Sequence, residues 1–248
     1  MSTQLVLDML ARLRLNGFAE ALKLQMSSTV FLELAFEERL KILLERELTH
    51  REDRRMSRLW RNCQPKYRTA IIEDIDYRSR GGLDKSQLAS LASCDWIREG
   101  LDLLIDGACG SGKTYLACAL AHQACRAGLS AWYVRAPRLF DELKLCHADG
   151  TFRKRLAEIA KIQLLIIDDF TINPMGARER NDLLELLDDR VGNRSTIVMS
   201  QLSPQNWHAY LNDPTLADAI MDRLIHRSHK IHLESKESMR KRTAGKKS

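Results

Sequence analysis

The spacing of apolar residues changes near residue 100 of this 248-residue chain. Before that point, leucines recur at helical intervals. Leu5, Leu7, Met9, Leu10, Leu13 and Leu15 make one broad apolar face, Gly17 interrupts it, and Phe18 to Met26 resumes it. Ser27-Ser28-Thr29 reads as a break. A longer helix is predicted from about Glu33, carried by Leu34, Phe36, Leu40, Leu43, Leu44 and Leu48. In the stretch that follows, Arg80-Gly81-Gly82 signals a turn and Asp84-Lys85-Ser86 a helix start.

Beyond residue 100, short apolar runs alternate with amphipathic ones. Strands are predicted at 101–105, 131–134, 164–167 and 196–199, with a last short one at Ile231-His232-Leu233. Helices fill the gaps: one reaching about Ala127 and ended by Gly128, then 137–147, 151–161 and 178–191. Two more follow, the second opened by Asp213-Pro214-Thr215. This alternation predicts an α/β fold, a parallel sheet with helices on both faces, preceded by a small all-helical domain. The expected organisation is helical 1–68, connector 69–99, α/β core 100–234 and basic tail 235–248.

At the first strand-to-helix junction stands Gly107-Ala108-Cys109-Gly110-Ser111-Gly112-Lys113-Thr114, followed by Tyr115 and a strong helix former. It fits the phosphate-loop pattern G-x-x-x-x-G-K-[ST] at every specified position, in the strand–loop–helix context that pattern needs. Glycines let the backbone approach an anion, successive N–H groups cradle phosphate oxygens, and the helix N-terminus favours negative charge. Lys113 is placed to reach the β/γ-phosphates and Thr114 to ligate Mg²⁺.

A second constellation completes the first. The predicted strand Leu164-Leu165-Ile166-Ile167 ends in Asp168-Asp169. Adjacent carboxylates at the end of a buried strand are costly without a cation. Asp168 is therefore read as the Mg²⁺ partner, and Asp169 as the group that orients or deprotonates attacking water. After the fourth strand, Ser200-Gln201 can sit between the acidic pair and the γ-phosphate. Arg223, near a helix end, is the candidate to serve a neighbouring copy's γ-phosphate.

Charge adds a partner. Lys and Arg number 39 against 33 Asp and Glu, a net +6. The excess is local: Arg51, Arg54, Arg55, Arg58 and Arg61 crowd the end of the long helix, with Lys66 and Arg68 beyond and Trp60 and Tyr67 interleaved. A phosphate-backbone surface is expected there. Basic residues of the tail, among them Arg240, Lys241 and Arg242, read as a second DNA arm, Arg240 also as a reach toward nucleotide.

Other signals are excluded. The six cysteines include no C-x-x-C pair. Cys118, His122 and Cys125 share a helix face, read as packing, and His226, His229 and His232 straddle two elements, so neither set predicts a metal site. With no long apolar run and no leader-like N-terminus, the chain is expected to be cytoplasmic, with no membrane partner.

Further residues carry a resemblance. Asp76-Tyr77-Arg78-Ser79-Arg80-Gly81-Gly82-Leu83, Asp95-Trp96-Ile97, Leu183-Leu184-Glu185, Ser200-Gln201-Leu202 and Trp207 belong to it. So do Asp213-Pro214-Thr215-Leu216-Ala217-Asp218-Ala219-Ile220, Asp222-Arg223-Leu224 and Glu237-Ser238-Met239-Arg240-Lys241. Together with the phosphate loop, this set resembles the IstB-like ATP-binding proteins along nearly the whole chain. The resemblance implies a bacterial AAA+ ATPase related to the DnaC helicase loader, using ATP and Mg²⁺. It implies ATP-dependent homo-oligomers on duplex DNA that select a target and recruit and stimulate a cognate transposase. In that pattern Gln201 lies at the first sensor, Arg223 at the arginine finger and Arg240 at the second sensor. Two other readings stay open: a helicase loader on single-stranded DNA, and a nucleotide-dependent scaffold with negligible turnover.

Overall fold

The central strands of the core are built around unbroken apolar runs, residues 103–105, 164–167 and 197–199, because helices cover both of their faces. The computed structural model describes residues 3–75 and 83–234. One sheet contains β1 (Asp102–Gly107), β2 (Ala131–Arg135), β3 (Leu164–Asp168), β4 (Ser195–Ser200) and β5 (Ser228–Leu233). Their order is β2-β3-β4-β1-β5, and every neighbouring pair is parallel. All C-terminal strand ends therefore lie along one rim.

Helices α1 (Thr3–Arg12), α2 (Asn16–Ser27) and α3 (Phe36–Cys63) precede the sheet, followed by α4 (Lys85–Ala92) and α5 (Asp95–Arg98). Between and after the strands come α6 (Lys113–Arg126), α7 (Ala136–Asp149), α8 (Phe152–Ala160), α9 (Ala177–Asp188), α10 (Trp207–Leu211) and α11 (Pro214–Ile225). Strand periodicity sorts the core into two layers. Leu103, Ile105, Tyr133, Ile166 and Met199 pack with Leu116 and Leu120 of α6. Their neighbours Leu104, Val134, Ile167 and Val198 pack on the other side with Leu139 of α7, Leu183 of α9 and Leu224 of α11. Each fully buried leucine contributes roughly 1.5–3 kcal/mol.

The chain divides into two compact units, residues 1–58 and 59–248. Within the first, Gly17 is not a break. It lies inside α2, where an added Cβ would fall 2.6 Å from the Cβ of His50 and 2.7 Å from the carbonyl of Arg46. The close approach of α2 to α3 explains the glycine; the turn itself comes earlier, with Arg14 at φ 58°. The start of α2 is held by buried Glu47, which accepts from the Phe18 amide at 3.1 Å and from Arg51 Nε at 2.7 Å. Burial works to raise the Glu47 pKa, but Arg51 and that amide outweigh it and hold the carboxyl below its ordinary range.

Two further boundaries differ from expectation. The long helix starts at Phe36, after a short 3-10 turn at Thr29–Glu33. The last strand starts at Ser228 because it pairs with β1 over its whole length. Its mixed sequence is that of an edge strand with only Ile231 and Leu233 buried.

In the second unit, the end of α3 lies along α6. The Trp60 ring meets His122 edge-on at 4.9 Å, Tyr67 lies 6.0 Å from Tyr115, and Cys63 is buried in the same cluster as Cys118 and Cys125. The aromatics interleaved with the basic stretch are thus used at least partly for packing. Likewise, the Cys118–His122–Cys125 face is a packing face. Among the described residues no cluster of three His, Cys, Asp or Glu could hold a metal ion. Nor is any described helix long and apolar enough to cross a membrane.

Arg190, 1% exposed, ties the sheet to α8. Its Nη1 donates to the Ile159 and Ile162 carbonyls at 2.8 and 2.9 Å, its Nη2 to Ser195 O at 2.6 Å, and its Nε to Thr196 Oγ1 at 3.2 Å. Replacing Arg190 with Met removes four hydrogen bonds to buried acceptors. Urea unfolding of Arg190→Met is expected to show a loss of about 3–5 kcal/mol, with Arg190→Lys falling in between.

Candidate nucleotide site

The loop between β1 and α6 takes its shape from glycines at three positive-φ positions, Gly107 (142°), Gly110 (82°) and Gly112 (94°). Gly112 caps α6. At Gly107 the need is also steric: a Cβ would lie 2.3 Å from the carbonyl oxygen of Leu233 on β5. Inside the loop the Ser111 hydroxyl is buried without a hydrogen-bond partner, an unusual state for a polar atom. Lys113 is also buried, and its ammonium donates to Gly107 O at 2.6 Å and Ala108 O at 2.8 Å. Burial pushes its pKa below the ordinary lysine range, against the pull of Asp168, Cys109, Asp169 and Asp106. An orphan hydroxyl, a desolvated cation and a helix N-terminus together suit a polyanion.

The loop and the acidic pair converge. Thr114 Oγ1 donates to Asp168 Oδ2 at 2.9 Å, although β4 separates β1 from β3. The donor set here, a hydroxyl beside a carboxylate, suits Mg²⁺, which takes hard oxygen ligands and keeps several waters. Asp169 follows directly, in the left-handed region at φ 56°, and its amide donates to Asp168 Oδ1 at 2.8 Å. Its own carboxylate accepts from Arg135 Nε at 2.7 Å, an ion pair that raises the Arg135 pKa further.

Neighbouring residues had no motif to announce them. Tyr133 donates its hydroxyl proton to Asp168 Oδ2 at 2.7 Å. Burial first, and then the negative charge of Asp168, pushes its phenol far above the ordinary range, so it stays a donor. On the other side of the sheet His232 Nδ1 lies 2.6 Å from Asp106 Oδ2, one residue before the loop. Strand register could have found both pairs: Tyr133 lies two positions before the residue that pairs with Asp168, and His232 pairs with Asp106 directly.

The remaining predicted residues are placed as follows. Gln201 is exposed just past β4, while buried Ser200 Oγ bonds Thr171 Oγ1 at 2.8 Å, the Leu202 amide at 2.9 Å and Trp207 Nε1 at 3.3 Å. Arg223 does not face the loop of its own chain. It pairs with Asp188, donates to Ala219 O at 2.8 Å and shares a small cavity with Asp102, Arg190 and Thr196, at the opposite rim of the sheet. Arg51, Arg54, Arg55 and Arg58 are all exposed, on one stripe of α3 by their spacing, and Arg61 is exposed as well. Arg51 is bound to Glu47. Arg240, Lys241, Arg242 and the turn at Arg80-Gly81-Gly82 lie outside the described residues.

Sheet order, phosphate loop and acidic pair define a P-loop nucleotide-binding protein. The sequence pattern of the family described as IstB-like ATP binding protein matches residues 8–247. The chain belongs to that family. It is 48% identical over 202 residues to the insertion sequence IS1162 ATP-binding protein of Pseudomonas fluorescens, covering 82% of this chain and 87% of that one. An insertion sequence ATP-binding protein of Sinorhizobium fredii is 43% identical over 95% of each chain. Among solved structures, DnaI matches with a TM-score of 0.58 at 24% identity, covering 67% of this chain and 92% of its own. The DnaC helicase loader matches at 0.55 and 20%, covering 66% and 97%. These likenesses give the fold, that of AAA+ proteins.

The Leu233 carbonyl leaves no room at Gly107. The variant Gly107→Ala is expected to lose about 2 kcal/mol of stability in thermal melts and at least tenfold in nucleotide affinity, because the loop must move away from β5.

Proposed function

We propose that this chain is an ATP-dependent DNA-binding ATPase that assembles as a homo-oligomer on duplex DNA. It would serve an insertion-sequence transposase in the cytoplasm, selecting target DNA and recruiting and stimulating that enzyme. The observation that carries this reading is the meeting of Thr114 and Asp168 beside a buried Lys113. Membership in the IstB-like family supports the insertion-sequence role.

In this reading the loop amides, Lys113 and Ser111 bind the phosphates of ATP, with Lys113 exchanging the Gly107 and Ala108 carbonyls for phosphate oxygens. Tyr115 extends the same contact at the start of α6. Thr114 and Asp168 hold Mg²⁺, which neutralises charge on the transferred phosphoryl group when bound. Asp169 orients the attacking water and accepts its proton. Gln201 senses the γ-phosphate from the end of β4. Arg223, on the rim away from its own loop, answers to nucleotide held by a neighbouring copy, and Arg240 supplies a second sensor. ATP thereby favours the oligomer, and hydrolysis its release. The α3 stripe, with Lys241 and Arg242, supplies phosphate-backbone contacts to DNA.

The likeness to DnaI and DnaC favours one competing reading, a helicase loader acting on single-stranded DNA. The two separate by binding to duplex and single-stranded DNA at fixed salt, with ATP, ADP or neither, while oligomer size is followed. Duplex preference with ATP-driven assembly supports the transposition role; single-strand preference supports the loader.

Two variants test the parts. Lys113→Ala is expected to weaken ATP binding on the order of 100-fold, since it removes a charge-assisted contact in a desolvated site; equilibrium titration with ATP checks this. Arg54→Glu with Arg58→Glu is expected to weaken DNA binding regardless of sequence and to flatten its logarithmic salt slope by about 0.9 for each phosphate no longer neutralised. Unchanged affinity and slope would make the stripe a protein-binding surface.

A further inference from the structure

Asp168 is the most heavily bonded carboxylate of the site. Its Oδ1 accepts from the Asp169 amide at 2.8 Å, and its Oδ2 accepts both from Thr114 at 2.9 Å and from Tyr133 at 2.7 Å. These three donors differ in kind. The amide belongs to the backbone of the strand end itself. Thr114 is the residue that the ATP reading above assigns to Mg²⁺, so its hydroxyl is shared between carboxylate and metal. Tyr133 alone is a side chain with no other assigned task.

The position of Tyr133 follows from the sheet. In β2, alternate residues face α6, and Tyr133 lies in that layer beside Ile166 and Cys118. It pairs with Ile166, two residues before Asp168 on β3, so the ring runs toward the strand end and delivers its hydroxyl to the carboxylate. At 8% exposed it is held by core packing. A phenol so packed has little freedom to leave its partner, and its ring spans the gap that a shorter donor would not.

We propose that Tyr133 is a positioning residue for Mg²⁺: it fixes the Asp168 carboxylate in the orientation that, with Thr114, receives the metal beside bound ATP. The inference rests on the nucleotide-binding reading above. Partners of ligating carboxylates change metal affinity by roughly 10–100-fold when removed. Tyr133 touches neither nucleotide nor metal in this role. It acts through Asp168, so its effect belongs to the metal dependence of binding and not to the phosphate contacts of the loop.

The test is Tyr133→Phe, which keeps the ring and deletes the hydroxyl. A labelled ATP analogue is titrated against the full chain over a series of Mg²⁺ concentrations and again in EDTA. The half-saturating Mg²⁺ concentration is expected to rise about tenfold or more, with affinity in EDTA unchanged. Ile166→Val, which loosens the same layer without touching the hydroxyl, is expected to leave the Mg²⁺ dependence as in the parent chain. An unchanged Mg²⁺ dependence in Tyr133→Phe overturns the proposal. So does an equal shift in Ile166→Val, or a fall in EDTA affinity and melting temperature with no separate Mg²⁺ effect. A parent chain that binds no nucleotide with or without Mg²⁺ overturns the ATP reading and this one together. Nucleotide bound normally, with the variant indistinguishable, overturns the role of Tyr133 alone.

Discussion

Everything at the candidate site depends on a side-chain contact that the sheet makes possible, Thr114 on α6 to Asp168 on β3. The two residues come from different strand–helix junctions, with β4 between their strands. They meet because all five strands run the same way, so each delivers its last residue to one rim. They also meet because α6 lies over the sheet, packed on Leu103, Ile105 and Ile166. An antiparallel neighbour would have sent one of these residues to the far end. The apolar layers beneath are therefore what hold a hydroxyl and a carboxylate at 2.9 Å.

Buried charge is handled differently at the two rims. At the N-terminal rim Arg190 is held by fixed partners: three carbonyls and a hydroxyl. Burial lowers its pKa to about 10, against the pull of Asp102, and burial raises Asp102 to about 7, against its bond to the Thr196 amide and the charges of Arg190 and Arg227. These groups satisfy one another through backbone that cannot be displaced without unfolding. At the C-terminal rim Lys113 rests on two carbonyls of a glycine loop and Ser111 on nothing. The first arrangement is built for stability. The second carries an unmet demand for oxygen acceptors, which is what distinguishes a site from a core.

How much of this was legible in the sequence depends on where each constraint acts. The phosphate loop and the acidic pair could be read because each is local: a strand, a turn and the chemistry of consecutive residues. The two-layer core was legible because unbroken apolar strands imply cover on both faces. Gly17 was misread because its reason is not local. A glycine in a leucine-rich helix looks like an interruption until His50 of α3 is seen 2.6 Å from where a Cβ would stand. Trp60 and Tyr67 were grouped with the phosphate-backbone surface because they stood among arginines, yet α6 lies close against them. Tyr133 and Arg135 had no motif to mark them because strand pairing brings them to Asp168 and Asp169.

The placement of Arg223 shows how position can speak where composition cannot. An arginine near the end of a helix beside Asp222 and Asp218 has ordinary surface partners available. Instead it binds Asp188 on α9 and sits beside Arg190 and Thr196, at the rim farthest from its own phosphate loop. Within a single chain it therefore stands on the wrong side of the sheet to touch phosphates at Lys113. The same geometry explains why Asp169 can be tied to Arg135 without crowding from Arg223: the two arginines belong to opposite ends of the sheet, one at the end of β2 and one below the start of β1.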